Sequence, residues 1–414
     1  MAHDLRLVVN PLGPDDHVVV VGAGLAGWRF AEILRQLGYR GAVTIVGDES
    51  HAPYDRPPLS KQILSGKWDL DKATLATPIK LETAGVDLRL GRRVVGLDAA
   101  ATRVELDDGT SISGTHVVVA TGTRARALSF AGTGPLPTLR TADDVTRLTE
   151  TISRLEPETA FAVIGGGFVG AEVATSLAAR GLRPVVLEAA GRPLVGVVGD
   201  EASEWLAHLA PAAGIELRTH QHIRDVLAVE RSFFVEFDEG PALEVGAVIA
   251  AVGSALDLGW LEDSGLHLEE GIRVDENLQA VPHVAAIGDV ARFAYHGGGE
   301  LEHIRVEHWQ VAADHAWHLA HYWMGEAAKP AVPYFWSDQY GKKIQMLGHP
   351  RAEDEVVRVS GSDEERKWLA LYARNGLVSG ILALNNPRGL ATSKVLLDEV
   401  TTIDEALSRA PWAG

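Results

Sequence analysis

The sequence predicts an α/β fold of two nested units built on one plan, each a parallel sheet with crossover helices, followed by a smaller α+β domain. Three observations predict it. The series strand, glycine-rich loop, helix, strand, acid occurs around Gly22-Ala-Gly24-Leu-Ala-Gly27 and again around Gly165-Gly-Gly167-Phe-Val-Gly170. Downstream, one offset of 131 residues relates the two copies, from Gly109 to Gly240 and from Gly122 to Gly253. Past about residue 329 the pattern changes to strand-like runs joined by hairpin signals.

In the first copy the apolar run Val18–Val21 is a strand that enters the glycine loop. Ala26, Phe30, Ile33, Leu34 and Leu37 then recur at helical spacing, Gly38 stops the helix, and Val43–Val46 is the next strand. Asp48 follows 21 residues after Gly27. The second copy runs through Ala162–Ile164, a helix with Val169, Val173, Ala174 and Leu177 on one face, the stop Gly181, the strand Val185–Leu187 and Glu188. That acid lies 18 residues after Gly170. Asp107-Asp-Gly109 and Asp238-Glu-Gly240 are hairpin turns ahead of the closing strands Val117-Val-Val-Ala-Thr-Gly122 and Val248-Ile-Ala-Ala-Val-Gly253. A further short strand, Val284-Ala-Ala-Ile, ends in Gly288-Asp289. In the third part Lys343–Leu347, Trp368–Tyr372 and Leu377–Leu384 read as strands, the last two joined through Asn375-Gly376. An amphipathic stretch with Leu390, Val395, Leu396 and Val400 follows.

Both copies have the chemistry of a Rossmann-like dinucleotide site. The first glycine permits the tight turn, the second lets backbone N–H groups approach a pyrophosphate, and the third lets helix and strand pack closely. The phosphates then sit at the positive end of the helix, and the acid accepts hydrogen bonds from ribose hydroxyls. Glu188 favours the free 2′-hydroxyl of NADH over the 2′-phosphate of NADPH, although Arg192 lies only four residues on.

The 414 residues contain no cysteine, which excludes a disulfide framework, a cysteine-ligated metal or cluster, and a redox-active dithiol. Two dinucleotide sites without a thiol point to a flavin held permanently and a hydride donor that visits, and Asp289 is placed to meet the flavin's ribityl chain. The formal charge of −18 argues against a nucleic-acid partner, which needs a basic face. The longest apolar runs, around Val18–Trp28 and Val245–Gly253, fall short of the roughly 20 residues that cross a bilayer. Near the N-terminus, the apolar patch Leu5–Val9 lacks the basic region and cleavage site of a signal peptide, so a cytoplasmic location is the default expectation.

At this point the sequence resembles the FAD-dependent, NADH-linked ferredoxin reductases of bacterial oxygenase and cytochrome P450 systems. The resemblance covers nearly all of residues 17 to 400. Its most specific stretches are Pro53-Tyr-Asp-Arg56-Pro-Pro-Leu-Ser-Lys61, Ala120-Thr-Gly122, Gly165-Gly-Gly-Phe-Val-Gly-Ala-Glu172, Ala286-Ile-Gly-Asp289, Val306-Glu-His-Trp309 and Tyr334-Phe-Trp336-Ser-Asp-Gln-Tyr340. It implies a glutathione-reductase-like arrangement: a discontinuous FAD domain over 1–124 and 257–328, an NADH domain over 125–256, and a C-terminal interface domain over 329–414. Tightly bound FAD would meet Gly22, Gly24, Leu25, Ala26, Gly27, Asp48, Arg56, Lys61, Thr121, Gly122, Arg126, Asp289, Glu307, His308, Trp309 and Trp336. Arg124 is an alternative to Arg126. NADH would meet Gly165, Gly167, Phe168, Val169, Gly170, Glu172, Glu188, Val252 and Gly253.

The resemblance also implies that Lys61 and Glu172 meet beside the reactive face of the flavin, where a lysine stabilises the charge of the reduced ring and the carboxylate tunes the lysine. A purely structural interdomain salt bridge is the bland alternative. Trp309 and Trp336 would flank the ring on the side of the electron acceptor; ordinary core packing is their alternative. The partner expected is a small [2Fe–2S] or [3Fe–4S] ferredoxin, itself acidic, met by a local basic patch from Arg305, Lys342, Lys343 and Arg388. The chain is expected to be a monomer or weak dimer. Reduction of a quinone, radical or oxygen, and a redox sensor like the apoptosis-inducing factor, remain as alternatives.

His308, His315, His318 and His321 do not hold one helical face and lack an acidic partner, so no metal is expected; the stretch reads as a helix packed under the flavin with a polar outer face. Three features depart from the family pattern or stand apart. Ser254-Ala-Leu-Asp257 replaces a Pro-Asn pair at the domain crossover, Val311 replaces an asparagine, and the loop Tyr295-His-Gly-Gly-Gly-Glu300 reads as mobile.

Overall fold

The computed structural model describes residues 11–327 and 329–413, so the Leu5–Val9 patch lies outside the described residues. The first sheet has six strands in the order Gln279–Val281, Val284–Ala286, His116–Val119, His17–Val21, Ala42–Val46 and Asp87–Arg89. All neighbours are parallel except the hairpin at the Gln279–Val281 edge. Helices Leu25–Gln36 and Trp309–Trp323 pack against each other and the sheet, and Val94, Leu97, Val104, Leu106 and Ile112 of a small antiparallel sheet join the same core, so the central valines have no exposure.

The second sheet, Glu216–Arg218, Arg183–Leu187, Ala160–Ile164 and Ala247–Ala250, repeats this plan around the helix Phe168–Ala179. Both hairpin turns form, between Arg103–Leu106 and Ser111–Ser113 and between Ser232–Phe237 and Leu243–Val245. The two crossings between units are the short strands Arg124–Ala125 and Ser254–Ala255, paired antiparallel. Among the described residues no helix is long and apolar enough to cross a membrane.

The third sheet is antiparallel, in the order Tyr334–Gln339, Lys342–Gly348, Leu377–Leu384, Lys367–Arg374 and Glu355–Ser362. Asn375 and Gly376 both take positive φ, 51° and 76°, as a two-residue hairpin of the right twist requires. One face buries Trp368, Tyr372 and Leu382 against Val198 and Ala202 of the helix Val195–Ala207, and Tyr372 OH donates to the Val198 carbonyl at 2.7 Å. The other face packs on Leu390, Leu396 and Ala406.

Three local readings change, and two strands are added. The stretch after residue 387 breaks into the short helices Pro387–Ser393 and Val395–Asp398, and Val400 stands in a turn at φ 52°, 55% exposed rather than on the packed face. Tyr295–Glu300 is the end of a hairpin: Ala291–Gly297 and Glu300–Ile304 pair antiparallel, and the tip lies against Arg374 and Leu377. The histidine helix has a mixed outer face, since Trp317 is 45% exposed, while His315 and His318 are buried. The strands Tyr334–Gln339 and Glu355–Ser362 carry too little alternation to be recognised from sequence.

Candidate active site

A cleft of about 1450 Å³ opens between the first sheet, the second glycine-loop helix and the edge of the third sheet. Pockets for one drug-sized molecule reach about 1,000 Å³, so this space suits something larger. Gly22 and Gly165 adopt φ 117° and 107°, and a Cβ at either would meet backbone oxygen within 2.4 Å. A Cβ on Gly27 would lie 2.2 Å from the Gly22 carbonyl, and one on Gly170 2.0 Å from that of Gly165, so the third glycines seat helix on strand. Gly24 and Gly167, by contrast, have nothing within 4 Å of that position.

Those two middle glycines are the N-caps of their helices, and neither helix has a side-chain cap, whereas Thr141 and His308 cap theirs. Uncapped N–H groups at the cleft fit phosphate oxygens. The donor set and the open space therefore suit dinucleotides at both loops.

Gly22, Gly24, Leu25, Ala26, Asp48, Arg56, Lys61, Thr121, Gly122, Asp289, Glu307, His308, Trp309 and Trp336 all line the cleft, as do Gly167, Phe168, Val169, Glu172 and Gly253. Gly27, Gly165, Gly170 and Val252 support the loops from behind and are not among its walls. Arg126 is not among the cleft walls: its Nη2 reaches the Ser254 carbonyl at 3.3 Å, whereas Arg124 lines the cleft, pairing with Asp48 at 2.9 Å and with Asp257 at 3.1 Å. Asp257 also takes Arg93 at 2.6 Å, so the departure at the crossover installs a four-charge network.

Glu188 is not in the cleft wall either. Its Oε2 accepts from Gly166 N at 2.7 Å and its Oε1 from Ala190 N at 2.8 Å, so the acid shapes the glycine loop. Arg192 is drawn away to Asp200 at 2.8 Å.

Lys61 and Glu172 do meet. Lys61 stands on the π-helical turn Leu59–Ile63, where Ile63 N bonds back to the Pro58 carbonyl, and its Nζ lies 2.6 Å from Glu172 Oε2. Trp309 and Trp336 lie edge to face at 5.9 Å, and Trp309 Nε1 donates to Asp55 at 2.7 Å. His308 sits at 4.3 Å from the Trp336 ring; its Nδ1 accepts from Gln310 N, and its Nε2 lies 3.2 Å from both the carbonyl oxygen and the backbone nitrogen of Trp336. Burial pushes the His308 pKa down to about 4, so the ring is neutral at ordinary pH.

Several partners were not foreseen. Arg140 donates to Asp289 at 2.9 Å and to the Thr123 carbonyl at 3.0 Å. Arg56 is held by Glu49 at 2.6 Å and donates to the Arg140 carbonyl at 2.7 Å. Glu307 takes Ser254 and Arg305, so Arg305 is a wall of the cleft in an ion pair and is withdrawn from the surface patch. Lys342 and Lys343 lie on the third sheet, Lys343 only loosely paired with Asp338 at 3.9 Å, and Arg388 is exposed on the helix that follows. Val311 is buried in the first core. Among the described residues no group of histidine and acidic side chains could hold a metal ion.

Comparison with known proteins decides the family. Residues 16–316 match the model for pyridine nucleotide-disulphide oxidoreductases, and residues 334–411 match the reductase C-terminal model. The chain belongs to this family. Within it, the chain is 33% identical to rhodocoxin reductase of Rhodococcus erythropolis over 94% of its own length and 91% of that protein. It is 30% identical to putidaredoxin reductase of Pseudomonas putida, over 96% and 95%. Among solved structures, the ferredoxin reductase for the CYP199A2 system of Rhodopseudomonas palustris superposes with a TM-score of 0.84 at 31% identity, over 96% of this chain and all of that one. The covalent putidaredoxin reductase–putidaredoxin complex gives 0.87 at 27%, over 97% and 99%. The chain is thus a member of the ferredoxin–NAD(+) reductase family of FAD-dependent oxidoreductases. Unlike the disulphide reductases that give the wider family its name, it has no thiol through which electrons could leave.

Proposed function

We propose that the chain oxidises NADH and hands the electrons singly to a small acidic iron–sulfur ferredoxin serving a cytochrome P450 or ring-hydroxylating oxygenase. The observation that carries this reading is the Lys61–Glu172 pair, a half-buried cation on a buried carboxylate at the place where the two glycine-loop sites share one cleft. FAD would lie on the first loop and NADH on the second, with FAD and NADH domains at 1–124 plus 257–328 and 125–256, and an interface domain from 329. FAD, when bound, supplies the chemistry of taking two electrons together and releasing them one at a time.

The chain's own residues do the rest. The uncapped N–H groups after Gly24 and Gly167 bind pyrophosphate, and Arg56, Arg124, Thr121 and Asp289 offer polar contacts along the first site. Lys61 Nζ, fixed by Glu172, places a positive charge in the cleft where negative charge develops. Phe168, packed at a tilt against Phe335 with ring centroids 4.2 Å apart, and the half-exposed Val169 exclude water on the NADH side. Trp309 and Trp336 wall the opposite end, next to the third sheet, whose Lys342 and Lys343 with Arg388 form the proposed docking cations.

Stopped-flow mixing of the yellow protein with NADH and with NADPH, then with [2Fe–2S] and [3Fe–4S] ferredoxins, tests the reading. Rapid bleaching by NADH and reoxidation that needs a ferredoxin are expected. Turnover on a quinone or oxygen that no ferredoxin accelerates would overturn it in favour of a small-molecule reductase. Slow bleaching with a long-lived coloured complex would favour a sensor.

A further inference from the structure

The carboxylate of Glu172, a residue only 7% exposed, receives three hydrogen bonds from two distant parts of the chain. Ser60 Oγ and Lys61 Nζ each donate to Oε2 at 2.6 Å, and Ser337 Oγ donates to Oε1 at 2.7 Å. Ser337 is 1% exposed on the edge strand Tyr334–Gln339 of the third sheet. Gln339, two residues on, donates its side-chain N–H to Ser337 Oγ at 3.4 Å, which occupies a lone pair and aims the hydroxyl proton at Glu172.

The helix carrying Glu172 is bolted on the same two sides. Ser176 Oγ donates to the Ser60 carbonyl at 2.6 Å and Arg180 Nε to the Leu64 carbonyl at 2.8 Å, so positions 172, 176 and 180 present one helical face to the π turn. Tyr340 N donates to Thr175 Oγ1 at 2.8 Å, tying that helix to the end of the Ser337 strand.

We infer that Ser337 is a positioning residue for hydride transfer, through which the C-terminal sheet fixes the Glu172–Lys61 pair. The inference rests on the function proposed above. A carboxylate held at one oxygen can rotate about its broad terminal torsion; held at both, it has one plane. Lys61 Nζ has four rotatable bonds behind it and two acceptors ahead of it, Glu172 Oε2 and the Pro57 carbonyl at 3.3 Å. Fixing Oε1 through Ser337 therefore fixes where the lysine charge sits. The third sheet then completes the hydride-transfer site in addition to presenting a docking face.

The test compares Ser337→Ala, Glu172→Gln and the double variant as flavin-loaded proteins. Ser337→Ala is expected to slow flavin bleaching by NADH about tenfold with KM for NADH within about twofold, to weaken the long-wavelength band that forms on NADH addition, and to lower the flavin midpoint potential. In the Glu172→Gln background the same change is expected to cost less than about twofold, because both act through one carboxylate. Wild-type rate, band and potential in Ser337→Ala, or a full additional tenfold loss in the double variant, would overturn the inference. Should Ser337→Ala fail to hold flavin, Gln339→Leu, which removes only the aiming donor, is read by the same criteria with a loss of about threefold expected. A wild-type flavin that NADH does not bleach would instead overturn the function on which the inference rests.

Discussion

Lys61 Nζ and Glu172 Oε2 lie 2.6 Å apart across 111 residues of sequence, joining the turn beside the first glycine-loop unit to the helix of the second. Removing one member of a buried ion pair usually costs about 3–5 kcal/mol, because the other charge is stranded. Here Glu172 keeps Ser60 and Ser337, so Lys61→Ala should cost only about 1–2 kcal/mol of stability. It should slow flavin reduction by NADH more than tenfold in a protein that still folds. Denaturant titration and single-turnover kinetics on one preparation check the contrast; an unchanged bleaching rate would remove Lys61 from the mechanism.

The glycines of the second loop separate folding from binding. Gly170→Ala would drive a Cβ to 2.0 Å from the Gly165 carbonyl, and the resulting helix shift should lower the melting temperature by several degrees or prevent folding. Gly167→Ala meets nothing within 4 Å and sits in extended backbone at φ −72°, so the fold should hold. Its methyl group would occupy the space in which phosphate approaches the helix, and the KM for NADH should rise about tenfold or more. Thermal melts beside NADH titrations distinguish the two.

Glu188 holds the second glycine loop, and its proposed selection of the free 2′-hydroxyl of NADH is separable from that role by the carboxamide. Glu188→Gln retains one acceptor for Gly166 N or Ala190 N but loses the charge that repels a 2′-phosphate. The preference for NADH over NADPH should fall about tenfold, with stability reduced by about 1 kcal/mol for the lost bond. Equal preference in the variant and the parent would show that Glu188 serves the loop alone.

Much of this molecule was legible because local patterns carried it. Glycine spacing, the strand before it and the helix after it are all determined within about 30 residues, and the structure places both units as that spacing requires. What escaped was pairing between segments. Asp55, Ser60 and Ser337 lie inside stretches that were singled out, yet nothing along the chain says that a serine near residue 60 and another on a third sheet meet one carboxylate. Arg140 has no local signal at all, and Arg305 reads as a free cation until Glu307 is seen folded onto it. Arg126 and Arg124 differ in sequence by two positions, and only the structure, in which the crossover strand ends at Ala125, shows that Arg124 is the one at the cleft. Val400 fits an amphipathic pattern until the chain turns at positive φ.

Acid sensitivity should follow from buried histidines. Burial pushes the pKa of His116 down to about 4 and that of His315 to about 3. Both are neutral in the fold near neutrality, whereas in the unfolded chain they take a proton below about 6.5. Above that value they contribute nothing to the pH dependence. As pH falls from about 6.5 toward 4 the unfolded state binds protons that the folded state refuses, so stability is lost, by roughly 3–5 kcal/mol for each group if the full shift is expressed. His116→Asn should flatten the decline of unfolding free energy between about pH 6.5 and 4.5; an unchanged slope would assign the loss to the carboxylates.

The charge of −18 makes the partner question an electrostatic one. Two acidic proteins repel at long range, and association is steered only where a local cationic face outweighs that field. With Arg305 committed to Glu307, the face reduces to Lys342, Lys343 and Arg388, close to Trp336 because Lys343 pairs in register with Asp338, two residues beyond that tryptophan. Lys343 is only loosely engaged with Asp338 at 3.9 Å, and such exposed pairs contribute little, so its charge is available to a partner. Electron transfer to an acidic ferredoxin should therefore slow as ionic strength rises past about 0.15 M, where the screening length drops below about 8 Å. The double reversal Lys343→Glu with Arg388→Glu should lower kcat/KM for the ferredoxin at least tenfold and abolish most of the salt dependence. A rate that climbs steadily with salt in the parent protein would mean that net repulsion governs encounter and that the ferredoxin docks elsewhere.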